Sequence, residues 1–159
     1  AIGDVTTAPC LAHKASHQGI IVAEKISGKK INKFLNDDDI PSCTYSNPQI
    51  ASIGLTEEKA KQQGYDINIG NFPFLANGKA LALGEDEGFI KTIFDKNTGE
   101  LLGAHLVGAE VTELLSTYIV GKGLETTPDE FLSNIFPHPT MSEMLYESVL
   151  SSESKAIHF

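Results

Sequence analysis

The chain has 159 residues, 41% hydrophobic and 21% charged, which is enough to bury the core of one domain, or one domain plus a tail, and excludes a disordered or fibrous protein. Its formal net charge of −9 repels phosphate backbones and anionic head groups, so neither nucleic acid nor a membrane surface is expected as a partner. No stretch reaches the roughly 20 apolar residues that span a bilayer, and the opening residues AIGDVTTAPC lack the basic and apolar runs of a targeting segment.

Cys10 and Cys43 lie far apart, with no C-x-x-C or C-x-x-x-x-C spacing, so a reducing cytoplasmic setting is expected. The chain starts at Ala1 without Met, as a portion of a longer protein would.

In chain order, AIGDV reads as the apolar end of a strand that delivers Asp4. After Pro9, apolar residues at rough helical spacing predict a helix over residues 11–26, stopped before Gly28. The polar run GKKINKFLNDDDIPS reads as a linker, with a boundary near residue 38. Short β-rich runs follow at SCTYS, QIASIG and DINIGNFPF. Between the last two, Thr56 as N-cap, acids in the first turn and Gly64 at the end predict a short helix. In residues 88–108 two β-rich stretches flank Lys96-Asn97-Thr98-Gly99, a hairpin whose turn residues tolerate positive φ. Val111, Leu114, Leu115, Tyr118 and Ile119 mark one amphipathic helix. Pro128 after Thr127 predicts another over residues 127–133, and a last helix is expected from Met141 to about Ser151. Strands and helices are segregated rather than alternating, so the fold class is α+β, an antiparallel β-sheet with flanking helices.

The stretch FPHPTMSEML sets His138 between prolines just ahead of a helix bearing Glu143. Pro139 restricts the backbone on both sides of the peptide bond, so the imidazole is presented by a stiff turn. An imidazole with an unperturbed pKa near about 6.5 is a natural proton acceptor, and a hydrogen-bonded carboxylate would fix its tautomer. The same residues fit a plainer reading, a capping box with Thr140 at the N-cap and Glu143 reaching back to its amide. Asp4 likewise fits an ordinary turn before a helix whose N-terminal amides suit an anionic or carbonyl group. His13 and His17 stand at i and i+4, but no further ligand accompanies them, so no metal site is expected. His105 is expected to be a packed or hydrogen-bonded strand residue, and His158 to belong to the tail. No G-x-G-x-x-G fingerprint occurs, so the chain has no nucleotide-binding β-α-β unit of its own.

AIGDV, PCLAHKASHQG, SNPQIASIGLTEEKAKQQG, FPFLANGKALALGE, LLGAHLVGAEVTEL and FPHPTMSEML, in that order and spacing, resemble the dihydrolipoamide dehydrogenases of the class I pyridine nucleotide-disulfide oxidoreductase family. The resemblance covers essentially the whole chain. It implies that residues 1–38 are a return segment of an FAD-binding part (strand end, helix, linker) and residues 39–159 a dimerisation, or interface, domain. It further implies that the parent enzyme oxidises protein-bound dihydrolipoamide with NAD reduction, through FAD and a redox disulfide lying outside this chain.

Carried over by motif, Asp4 would hydrogen-bond the ribityl chain of FAD, Leu11, Ala12 and His13 would face the flavin ring, and Pro139 would lie against the cofactor. His138 would be the general base, oriented by Glu143 and serving the partner subunit's flavin in a homodimer. Cys10 stands where similar sequences often have Met, and a packing role is expected for it. The implied partner is the lipoyl domain of a 2-oxo acid dehydrogenase complex or glycine cleavage system, in the cytoplasm or in a mitochondrial matrix. The fragment alone is expected to be inactive and to hold no FAD, and to present an apolar surface on the sheet or on the 111–119 and 141–149 helices. The His-Pro-Thr-x-Ser-Glu pattern also occurs in glutathione-reductase-like enzymes. A stand-alone dimerising module is the other alternative.

Overall fold

The computed structural model describes residues 1–30 and 36–159 and divides the chain into two compact units, Ala1–Ile40 and Pro41–Phe159. The polar run read as a linker lies partly at residues 31–35, outside the described residues.

In the first unit, Gly3–Val5 forms a single 3-10 turn where a strand end was expected. A strand needs a neighbour to pair with, and no described residue of this unit is a strand. The turn is closed by the Thr6 amide and hydroxyl, both donating to the Gly3 carbonyl. Helix α1, Ala12–Ile26, matches the predicted element. The Gln18 side chain accepts from the Gly3 amide at 2.8 Å, and Lys14 is buried with its ammonium donating to the Thr7 carbonyl, so the helix holds the turn against itself.

The second unit is built on five antiparallel strands: β1 Ser42–Thr44, β2 Gln49–Gly54, β3 Ile67–Pro73, β4 Phe89–Asp95 and β5 Leu101–Gly108. Their spatial order is β1-β2-β5-β4-β3. The helices are α2 Glu57–Gln62, α3 Gly78–Leu83, α4 Val111–Leu114, α5 Ser116–Gly123, α6 Pro128–Leu132 and α7 Glu143–Ser152. This is the expected α+β arrangement: strands and helices are segregated, one sheet face packs under the helices of the main core, and the adjoining ends of β4 and β5 are buried on both faces. Phe72, Ile90, Phe94, Ala104 and Leu106 from the sheet meet Leu115, Tyr118, Met144, Leu145 and Val149 from the helices in the main core. A smaller cluster, Leu55, Ala60, Ile93 and Leu102, lies under α2.

Local signals explain most boundaries. The Thr56 hydroxyl accepts from the Lys59 amide at the start of α2, and the Glu130 carboxylate reaches back 2.8 Å to the Thr127 amide at the start of α6. The β4–β5 hairpin closes as predicted, but only Gly99 takes positive φ. The turn is organised by the Asp95 carboxylate, which accepts from the Asn97 amide at 3.1 Å and the Thr98 hydroxyl at 2.9 Å. These bonds, the Asn97 amide first, hold the Asp95 carboxyl below its ordinary range.

Two elements differ from expectation. The helix predicted around 111–119 is two segments meeting at Leu115, where the Tyr118 amide bonds three residues back to the Leu115 carbonyl. This tightening accompanies full burial of both Leu115 and Tyr118. Helix α3 was not anticipated, although its punctuation was present. Asn77 caps it by accepting from the Ala80 amide at 2.8 Å, and Gly84 ends it in the left-handed conformation.

Helix α7 is internal rather than presented. Met144, Leu145, Val149 and Leu150 are buried against the unit's own sheet, at about 1.5–3 kcal/mol for each fully buried aliphatic side chain. The exposed large apolar residues lie elsewhere, among them Leu75, Leu81, Leu83, Val120, Leu124 and Ile135. The expected apolar surface on 141–149 is therefore corrected, because that stripe is consumed by the monomer's core.

Candidate functional site

The turn from Phe136 to Met141 links α6 to α7 and is tied down at several points. Buried Asn77 donates its side-chain amide to the Thr140 carbonyl at 3.1 Å, so the residue that caps α3 also fixes this turn. The Thr140 hydroxyl donates to the Pro137 carbonyl at 2.6 Å and lies 2.8 Å from the Ser142 hydroxyl, which must then be the donor to it. The Phe136 and Tyr146 rings pack 5.6 Å apart, pinning the turn to α7. The His138–Pro139 peptide is cis.

Glu143 divides its carboxylate between two duties. One oxygen accepts from the Thr140 amide at 2.8 Å, and the other lies 2.9 Å from His138 Nδ1. The capping reading and the His–Glu reading are thus both realised, each on its own oxygen. The capping box is only half formed, since the Thr140 hydroxyl turns back to Pro137 and α7 begins after Ser142.

Burial by itself would raise the Glu143 carboxyl, but the Thr140 amide and then the His138 ring outweigh it and leave it below its usual range. An ionised carboxylate only accepts hydrogen bonds, so His138 Nδ1 is the donor, and in the neutral ring the lone pair then lies on Nε2. The His138 side chain is 80% exposed and that of Glu143 28% exposed, so the ring stands out from the surface on a half-buried carboxylate. Pro139 is exposed beside it.

The pair lines a groove of 410 Å³ shared with Asn77, Phe136, Glu147 and His158. Sequence reasoning missed Asn77, Glu147 and His158. The i, i+4 spacing of Glu143 and Glu147 was visible, but nothing local connected Glu147 to a histidine eleven residues on.

In the first unit Asp4 sits exposed in the 3-10 turn, and half-buried Leu11 with exposed Ala12 and His13 forms the start of α1. Leu11 gives that start no side-chain cap. Cys10, expected to pack, is exposed in this chain. His105 is a half-buried strand residue as expected, its Nε2 3.0 Å from the Leu55 carbonyl. Among the described residues no group of three or more His, Cys, Asp or Glu is placed to hold a metal ion, and no helix is long and apolar enough to cross a membrane.

Residues 40–149 match the family described as the pyridine nucleotide-disulphide oxidoreductase dimerisation domain. Over its whole length the chain is 62% identical to a dihydrolipoyl dehydrogenase of Zymomonas mobilis, covering 34% of that protein. It is 56% identical over 99% of its length to one from Rhizobium etli and 46% identical over all of it to one from Bacillus subtilis, covering 33% of each. The chain thus spans about a third of the length of the curated relatives it matches. Among solved structures, LpdA from Mycobacterium tuberculosis superposes with a TM-score of 0.88 over 94% of this chain and 32% of that one, at 22% identity, a likeness of fold. The HOCl-induced flavoprotein disulfide reductase RclA from Escherichia coli, solved as a Cu(II) complex, superposes with a TM-score of 0.82 at 27% identity, over 94% of this chain and 34% of that one.

Proposed function

Because the chain belongs to the dimerisation-domain family of the pyridine nucleotide-disulphide oxidoreductases, we propose that it is the C-terminal part of a dihydrolipoyl dehydrogenase, in which His138 is the general base and Glu143 orients it. The observation that carries this reading is the exposed His138 ring held at Nδ1 by an ionised, half-buried carboxylate 2.9 Å away. Such a ring offers Nε2 to a proton donor arriving from outside the unit, which is what a base acting across a dimer requires. A thiol with a pKa near about 8.5 must lose its proton before it can attack a disulfide, and an adjacent imidazole eases that step. Stiffness matters as much as basicity, and the ties from Asn77, Pro137 and Tyr146 supply it.

Residues 1–38 act as the return segment and residues 39–159 as the interface domain in this reading. The start of α1 fits one edge of a flavin, since a helix N-terminus without a side-chain cap suits carbonyl oxygens, and exposed Asp4 can accept from a ribityl hydroxyl. Asp4, Leu11, Ala12 and His13 would hold FAD, with Pro139 against the partner subunit's cofactor. When bound, FAD supplies the electron transfer between a dithiol and NAD. The lipoyl domain of a 2-oxo acid dehydrogenase complex or glycine cleavage system is the proposed substrate carrier, in a cytoplasmic setting. By itself the chain should show no lipoamide-dependent NADH formation.

The test is His138→Ala in the full-length protein, with reduction by dihydrolipoamide followed by stopped flow. Loss of the base should slow it by roughly 10²–10⁴-fold. A variant that turns over near the wild-type rate would remove His138 from the chemistry.

A further inference from the structure

Helix α7 carries the same bonding pattern twice. Glu143 spends one oxygen on a backbone amide, Thr140, and the other on an imidazole Nδ1, His138. One turn later Glu147 accepts from the Ile157 amide at 3.0 Å with one oxygen and stands 2.6 Å from His158 Nδ1 with the other. The Glu147 carboxylate is buried, with its side chain 6% exposed, while the His158 side chain is 65% exposed. Its two oxygens therefore clamp the chain's last residues onto the helix. The T-shaped contact of Phe159 with Phe72, 6.4 Å between ring centres, holds the other side of His158.

Both imidazoles line the one groove, whose titratable side chains are His138, Glu143, Tyr146, Glu147 and His158. A charge on His158 is felt at Glu143, where it favours the carboxylate. With Nδ1 directed at a carboxylate, His158, like His138, presents Nε2 outward. A tail needing only an anchor would be held by the Ile157 amide and Phe159, and neither contact calls for a second imidazole lining the groove.

We propose that His158, presented by Glu147, is a proton-relay residue that carries protons between His138 and solvent. The proposal rests on the reading of His138 as the base. The step is a proton transfer alone. The Nε2–H bond of the His138 imidazolium breaks, an Nε2–H bond forms on neutral His158, directly or across groove solvent, and that proton then leaves to a base in bulk solution. Each imidazole ends as it began, and no electrons move. The device matters because an interface-domain His138 facing a partner subunit would have its own path to bulk water narrowed, while the tail keeps one edge of the groove lined with a second acceptor.

The experiment is His158→Gln in the full-length dimer, assayed with dihydrolipoamide at low buffer concentration, alone and with added imidazole, beside His138→Ala. Relay predicts a loss of roughly tenfold that imidazole largely restores, since a small diffusible base replaces a lost shuttle but not a lost anchor. Glu147→Gln, which keeps the shape of the clamp, should show a loss of the same kind. His158→Gln turning over at the wild-type rate in dilute buffer, or losing activity that imidazole does not restore, overturns the relay and leaves His138 untouched. His138→Ala retaining normal turnover overturns both readings.

Discussion

Gly70 on β3 is the point where α7 meets the sheet, and it offers a quantitative check on how the His–Glu pairs are held. A Cβ placed there would lie 1.8 Å from the Ser148 carbonyl oxygen, 2.6 Å from Thr92 Oγ1 and 2.9 Å from the Ser148 carbonyl carbon. The φ of Gly70 is not positive, so the obstacle is space alone. The nearest atom is backbone and cannot swing aside. To reach ordinary contact α7 must back away by more than about 1 Å, which breaks the packing that buries Met144, Leu145 and Val149. Overpacking of this kind costs about 1–3 kcal/mol, so Gly70→Ala should lower the urea midpoint of the chain by the corresponding amount. Gly78→Ala is the control, since nothing lies within 4 Å of the added carbon, and a helical alanine there should be neutral or stabilising by about 0.4–1 kcal/mol. Because α7 also carries Glu143 and Glu147, Gly70→Ala in the full-length protein should slow dithiol oxidation, up to roughly 100-fold for a displacement near 1 Å. Equal urea midpoints for Gly70→Ala and wild type would show that α7 does not pack on β3 as described.

Two further expectations concern stability. Asn77→Ala removes both the cap of α3 and the tie to Thr140, and should cost about 1–3 kcal/mol in equilibrium unfolding; a change under about 0.5 kcal/mol would mean that the His138 turn is held without it. His105 is depressed below its ordinary pKa by burial, which outweighs the raising effect of the Leu55 carbonyl, with a smaller lowering contribution from the charge of Lys91. The unfolded chain therefore binds the proton first, so this contribution is fully present above a pH of about 6.5 and drains away as pH falls below it. Unfolding curves of wild type and His105→Gln between pH 8 and 5 should diverge on acidification, with wild type losing more. Parallel curves would contradict the burial argument.

What the sequence determined by itself was everything governed by neighbours a few residues apart. Pro9 and Gly28 bracketed α1, Thr56 and the acids after it started α2, and Asn97 to Gly99 closed the β4–β5 hairpin, because caps and turns are satisfied within one turn of chain. The His-Pro-Thr-x-Ser-Glu run announced a His–Glu pair but also a helix cap, and local pattern had no means of choosing, since both use the same carboxylate. Tertiary structure decided that each takes one oxygen. It also decided what no spacing encodes. Asn77 reaches the His138 turn across 63 residues of sequence, the α7 stripe is spent on the core rather than offered to a partner, and the chain's last residues return to Glu147 so that His158 faces the same groove as His138. Those contacts join distant segments, and only the burial of α7 on the sheet brings them within hydrogen-bonding reach.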